Sequence, residues 1–277
     1  MRDSKILNWA KFLRFSPLFI VVKTLVVGAT LSGLCWANST AAGSALFSSA
    51  ADYFNSHSQQ QDGNVSVKGS PARVWRDQKQ IWTSPFRTRA SDLRWIVPLA
   101  ATTGLLIATD HHTVSLIHSD PSNRNRSTKI SDAGVAAFGA AAATSFAFGT
   151  FTKNEHARET GILTAEAMTD SFFVSEALKL ATQRDRPNVN GAQGLFWQHA
   201  SLNSSFPSEH AALAWSAAAV LAREYPNPIA QWSAYGLASV VSLSRVTAMS
   251  HFPSDVVVGA AAGYLIGRYV YRAHHVD

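Results

Sequence analysis

Pro207-Ser208-Glu209-His210, running without a break into the apolar stretch 211–221, is where an all-helical reading of this chain begins. Ser208 suits the cap of a helix, His210 falls in its first turn, and the alanine-rich run that follows is long enough for a helix rather than a strand. Outward from it the pattern repeats. From Trp95 onward, apolar segments rich in Ala alternate with turn signals: Asp120-Pro121-Ser122-Asn123, Pro187-Asn188 with Gly191, and Tyr225-Pro226-Asn227-Pro228. The segments predict helices over about 93–109, 131–151, 158–182, 208–224, 228–246 and 254–272. No internal repeat is visible. The expectation is an all-α fold: a single bundle of about six helices over 93–272, with a solvated tail at 273–277. The Ala and Gly of 133–149 predict close approach between helices.

At 277 residues the chain can bury one substantial core, and nothing in its composition calls for a second. Its formal charge is +6, but Arg2, Lys5, Lys11, Arg14 and Lys23 against Asp3 place +4 of that within the first 37 residues. The remaining +2 gives no dense basic face, which argues against a nucleic-acid partner. Those cations precede an apolar run at 25–37 that ends in small residues, the layout of an export signal over about 1–42. The rival reading is an uncleaved anchor, because 15–22 is also apolar and only Lys23 interrupts the combined stretch. Cys35, the only cysteine, lies inside this leader, so the processed chain would contain no disulfide. Residues 43–92 are polar, with Gln59-Gln60-Gln61, Asp62-Gly63 and Gly69-Ser70-Pro71, and read as an extension or linker. Only 133–152 runs for a membrane-spanning length without charge. A mean hydropathy of +0.00 and the charges Glu159, Glu166, Asp170, Glu176 and Lys179 in the third segment argue against a polytopic membrane protein. An exported bundle that touches the membrane is the reading these features favour.

Three polar clusters carry chemistry. Lys179 closes the third segment and Arg186-Pro187 follows seven residues on, a spacing that returns to the same helical face or folds the loop over the helix end. Taken alone, Glu176 and Lys179 make an i,i+3 surface pair and Arg184-Asp185-Arg186 a solvated loop, although Pro187 restricts Arg186 and defines its aim. At the second cluster, Ser208 and its neighbours are either an ordinary capped helix or a cradle of free amides that binds an anion. In the third, Ser244-Arg245 end a helix, His251 falls in the turn, and Pro253-Ser254 restart the chain with Asp255 in the first turn. Asp255 is then a helix-start acid, or the acceptor of the His251 Nδ1 proton that leaves Nε2 as a nucleophile. Together, three cations, two imidazoles, a carboxylate and a serine at a helix start are equipped to hold a tetrahedral oxyanion and attack its central atom.

In order and spacing (Lys, six residues, Arg-Pro; Pro-Ser-Glu-His; Ser-Arg, five residues, His, three residues, Asp) these clusters resemble the three-part pattern of the type 2 phosphatidic acid phosphatase and vanadium haloperoxidase superfamily, over about 158–268. Glu209 stands where that pattern has Gly. The resemblance implies an all-helical core and a phosphatase working without a metal or other cofactor. It implies that His251 attacks phosphorus, Asp255 orients it, and His210 protonates the leaving oxygen and then activates water. Lys179, Arg186, Arg245 and Ser208 would bind the equatorial oxygens, with Glu209 contributing its backbone N–H and turning its carboxylate outward, away from a phosphate dianion.

The expected substrate is a phosphomonoester outside the cytoplasm, in the periplasm or cell envelope: a soluble ester, or a lipid phosphate or pyrophosphate. Two alternatives remain at this level, a vanadate-dependent haloperoxidase and a noncatalytic envelope protein of the same fold. The other histidines show no partner pattern. Adjacent His111-His112 do not share a helical face and read as loop residues, His274-His275 read as a solvated tail, and no Asp/Glu cluster suits a two-metal phosphatase.

Overall fold

The computed structural model describes residues 65–117, 120–198 and 203–275. The stretch read as an export signal or anchor and the first part of the polar extension lie outside the described residues, as do His57, His118 and His199. Seven α-helices are described: α1 (Ser70–Thr83), α2 (Leu93–Ser115), α3 (Pro121–Thr152), α4 (Glu155–Thr182), α5 (Glu209–Glu224), α6 (Pro228–Thr247) and α7 (Pro253–His274). Among the described residues there is no strand, and the chain is an all-α bundle.

Local chemistry sets the helix ends. Asp120, Asn154 and Asn227 cap α3, α4 and α6, each side chain accepting from the backbone N–H three residues on. Pro121, Pro228 and Pro253 occupy first helical positions, where no N–H is needed. Gln183 ends α4 in the left-handed conformation (φ 46°) and returns its N–H to the Lys179 carbonyl, so the chain turns sharply just past Lys179.

Helix α5 is central. Its alanines 211, 212, 214, 217, 218, 219 and 222 are all buried, and a helix apolar on nearly every face belongs inside the bundle. On one side, Leu163 and Val174 of α4 and Ile266 and Val270 of α7 pack with Val220; on the other, Phe138 of α3 and Val241 of α6 pack with Ala214 and Ala218. Each large aliphatic side chain buried in this way stabilises the fold by about 1.5–3 kcal/mol. The tightest contact is between α5 and α7. Gly259, Gly263 and Gly267 recur every four residues on α7 against the carbonyls of Ser208, Ala212 and Ser216, where an added Cβ would meet oxygen at 2.3, 2.1 and 2.2 Å. Glycine there brings the two axes together and fixes the N-termini of both helices relative to each other. Close approach also occurs at α3, where the Ala142 carbonyl lies 2.6 Å from where a Cβ on Gly161 of α4 would stand.

Three expectations change. Helix α1 lies within the stretch read as an extension, because what holds it is polar: buried Arg73 pairs with Glu166 of α4 at 2.5 Å, and buried Asp77 accepts from Tyr269 (3.0 Å) and faces the His274 ring (2.8 Å). An apolar-stripe criterion does not register such anchors. His274 is accordingly buried rather than part of a solvated tail, and His111 and His112 lie on α2 rather than in a loop, with His111 Nδ1 3.1 Å from the Ala192 carbonyl. Among the described helices, α3 is long and apolar enough to cross a membrane by length and composition.

Candidate active site

Helix polarity gathers the three polar clusters at one end of the bundle. The C-terminal turns of α4 and α6 deliver Lys179 and Arg245, the loop after α4 delivers Arg186, the N-termini of α5 and α7 present Ser208 to His210 and Asp255, and the turn between α6 and α7 carries His251. Two helix starts bring positive dipole ends to the same place as three cations.

His251 is buried, and its Nδ1 stands 2.6 Å from the Ser205 carbonyl oxygen. A carbonyl only accepts, so Nδ1 carries the proton and Nε2 keeps its lone pair. Burial, then the Arg245 and Arg186 charges, hold the His251 imidazole well below its ordinary range and therefore neutral. The Asp255 carboxylate lies 3.9 Å from Nδ1, too far for the direct hydrogen bond the sequence suggested. It takes Nη1 of Arg184 at 2.6 Å, the Phe252 N–H at 2.7 Å and the Ser205 hydroxyl. Burial pushes its carboxyl up to about 7 against those three. Since all three are donors, the ionised form is the one this geometry fits. Asp255 thus fixes Ser205, and Ser205 fixes His251.

Arg184 is the residue the sequence hid. It reads as one charge of a solvated loop, yet it is buried between Phe196 and Phe252, with its guanidinium carbon 4.8 and 4.3 Å from the ring centres. Its Nη2 meets Asp110 of α2 at 2.8 Å, and its Nη1 meets Asp255 and the Ser254 hydroxyl (2.7 Å). No local pattern links Asp110 to Arg184, 74 residues away.

Arg186 makes long contacts to the Asn203 and Ser250 carbonyls (3.3 and 3.4 Å) and borders a cleft of about 690 Å³ also lined by Asn188, Asn190, Asn203 and Ser204. Arg245 donates to Ser131 at 3.0 Å, and its Nε is buried without a hydrogen-bond partner; the buried hydroxyl of Ser208 has none either. Buried donors left open are what an oxyanion would satisfy. Burial lowers the guanidinium pKa of both arginines, and Arg186 adds repulsion on Arg245, a strain that a bound anion would relieve.

Glu209 turns inward, not outward. Its carboxylate meets Lys179 Nζ at 2.5 Å, and Glu176 meets the same nitrogen at 2.5 Å. One buried ammonium within reach outweighs the solvent that an outward carboxylate would gain. Burial alone would push the Glu209 carboxyl up, but the hydrogen bond and charge of Lys179 hold it below its ordinary range. His210 contacts Asp132 of α3, Nε2 to Oδ1 2.9 Å, a partner no motif announced. Burial and Arg245 lower the His210 pKa while Asp132 and Glu209 oppose them.

A helical bundle that concentrates lysine, arginines and two imidazoles at paired helix starts defines an anion-handling class. Residues 160–277, less than half of the chain, match the sequence model of the PAP2 superfamily. It is similar to a lipid A 1-phosphatase of Porphyromonas gingivalis, 33% identical over 103 residues that cover 36% of this chain and 23% of that protein. The match therefore spans less than a quarter of the relative's length. No solved structure matches the chain.

Proposed function

We propose that this protein hydrolyses phosphomonoesters through a phosphohistidine on His251, with no metal in the reaction. The observation that carries the reading is the His251 Nδ1 bond to the Ser205 carbonyl, which leaves Nε2 unprotonated on a buried ring beside three cations. In the proposed reaction the Nε2 lone pair attacks phosphorus, the P–O bond to the alcohol breaks, and the departing oxygen takes a proton from His210. Neutral His210 then removes a proton from water, whose oxygen attacks the same phosphorus. The N–P bond returns its electrons to Nε2, and inorganic phosphate leaves. Lys179, Arg186, Arg245 and the Ser208 hydroxyl hold the three equatorial oxygens, where charge builds up in the transition state. Supporting this is the relative named for removing a phosphate from lipid A, which makes a lipid phosphate in the cell envelope the first substrate class to test.

The test is His251→Ala assayed beside the wild type on p-nitrophenyl phosphate, phosphatidic acid and lipid A, in chelator and below the unfolding temperature. The variant is expected to lose about a thousandfold or more in kcat, and the wild type to accumulate an acid-labile, base-stable phosphoprotein on rapid quenching. Retained turnover in a folded variant would remove the nucleophile from the scheme. Bromide oxidation on adding vanadate and peroxide, without phosphate release, would point to a haloperoxidase instead.

A further inference from the structure

The same helices carry a second polar cluster at their other ends. Glu159 and His156 stand near the start of α4, Glu224 is the last residue of α5, and His275 caps α7. His275 Nδ1 lies 3.1 Å from Glu159 Oε1 and 3.4 Å from Glu224 Oε1, while His156 Nδ1 lies 3.4 Å from the other Glu224 oxygen. One ligand atom each from Glu159, Glu224 and His275 falls within 4.8 Å of the other two. The Glu224 side chain has 0% of its surface exposed, and neither of its oxygens has a hydrogen-bond partner.

A buried carboxylate without hydrogen bonds, beside a second carboxylate, is costly unless something positive sits between them. The spacing indicates what. At 3.4 Å an N–H···O contact is longer than a good hydrogen bond, whereas two ligands bonded at ~2.0–2.1 Å to one tetrahedral ion stand ~3.3 Å apart. The two separations from His275, 3.1 and 3.4 Å, bracket that edge. The rings are also oriented from behind: His275 stacks on Tyr271 with centroids 4.5 Å apart, and His156 meets Tyr225 edge-on at 5.2 Å. An imidazole nitrogen together with two carboxylates suits a borderline first-row cation; calcium and magnesium favour all-oxygen sites.

We propose that Glu159, Glu224 and His275 hold a zinc-class divalent cation that ties the start of α4 to the ends of α5 and α7, with His156 beside the second oxygen of Glu224. The 16 residues of α5 extend about 24 Å. The ion is thereby separated from His210, and its role is to clamp helix ends rather than take part in catalysis.

Full-length protein stripped with chelator and dialysed is titrated with Zn²⁺, and bound metal and thermal unfolding are read together. One ion per chain is expected, with Tm raised by about 5–10 °C at roughly a hundredfold excess over Kd, and no comparable response to Ca²⁺. Glu224→Gln keeps the side chain's shape, relieves a buried charge, and should unfold at or above the wild-type temperature without metal while binding Zn²⁺ at least about tenfold more weakly. His275→Gln should lose the zinc response likewise. The proposal is overturned if the wild type retains no stoichiometric zinc, if Glu224→Gln responds as the wild type does, or if Ca²⁺ serves equally. It also falls if Glu224→Gln destabilises the stripped protein while the wild type ignores zinc, the signature of ion pairs alone.

Discussion

Proton positions at His251 and His210 set how the proposed reaction answers pH. His251 must be neutral, and burial with two guanidinium charges keeps it so well below pH 6.5, placing the rising limb of kcat/KM in acid. His210 must be protonated, and its pKa is also lowered, so activity falls as pH rises through a value below 6.5 and the optimum is acidic. Asp132 is one of the groups holding the His210 pKa up. Asp132→Asn should therefore move the falling limb to lower pH and leave the rising limb in place, read from kcat/KM profiles of the two proteins. A falling limb that does not move would detach His210 from the acid role. These residues differ in how legible they are. Lys179, Arg186, Ser208, Glu209, His210, Arg245, His251 and Asp255 stand out because each cluster packs several reactive groups into a few positions. Asp132, Arg184, Asp110 and Ser205 do not, since each is a single polar residue whose partner lies on another element.

At the scale of elements, the Ser208 end of α5 is held where it is by the glycine row of α7. Gly263→Ala would drive a methyl group to 2.1 Å from the Ala212 carbonyl, backbone that cannot swing aside. The helices must part, at a cost of about 1–3 kcal/mol or more, and kcat should fall because Ser208 and Asp255 separate. Gly236→Ala in α6 is the control. Nothing lies within 4 Å of its added Cβ, so it should stabilise the protein by about 0.5–1 kcal/mol through helix propensity, without changing turnover. Denaturant unfolding and kcat on the two variants check both statements. Six of the seven described helices were readable from Ala-rich segments, although α3 starts at Pro121, ten residues before the expected 131, because its first turns are polar, and α2 runs on to Ser115 rather than 109. Helix α1 was not, because Arg73 and Asp77 attach it through charge rather than an apolar stripe.

Across the whole molecule, a buried acid group outside the candidate active site makes stability depend on pH. Asp170 of α4 is buried beside Asp77 and Glu166; burial first, then Asp77, raises its pKa from 3.8 to about 8. A carboxyl whose pKa is higher folded than unfolded contributes its full stabilisation below about 4, and that contribution is lost as pH rises through about 8. Asp170→Asn stays neutral and should flatten the fall of Tm across that window, while its side-chain oxygen still accepts from Gln78 Nε2, which stands 2.8 Å from Asp170 Oδ1. An unchanged Tm-against-pH curve would show that Asp170 is ionised in the fold. The sequence by itself determined the all-α class, the bundle's principal helices and the three polar clusters that the fold gathers at one end, because helix periodicity, caps and clustered reactive groups are local properties. Only the tertiary structure decided that Asp255 reaches His251 through Ser205, that Glu209 turns in to Lys179, and that Glu159, Glu224 and His275 meet. Contacts of this kind depend on which helix ends are brought together, and that follows from close packing between backbones far apart along the chain.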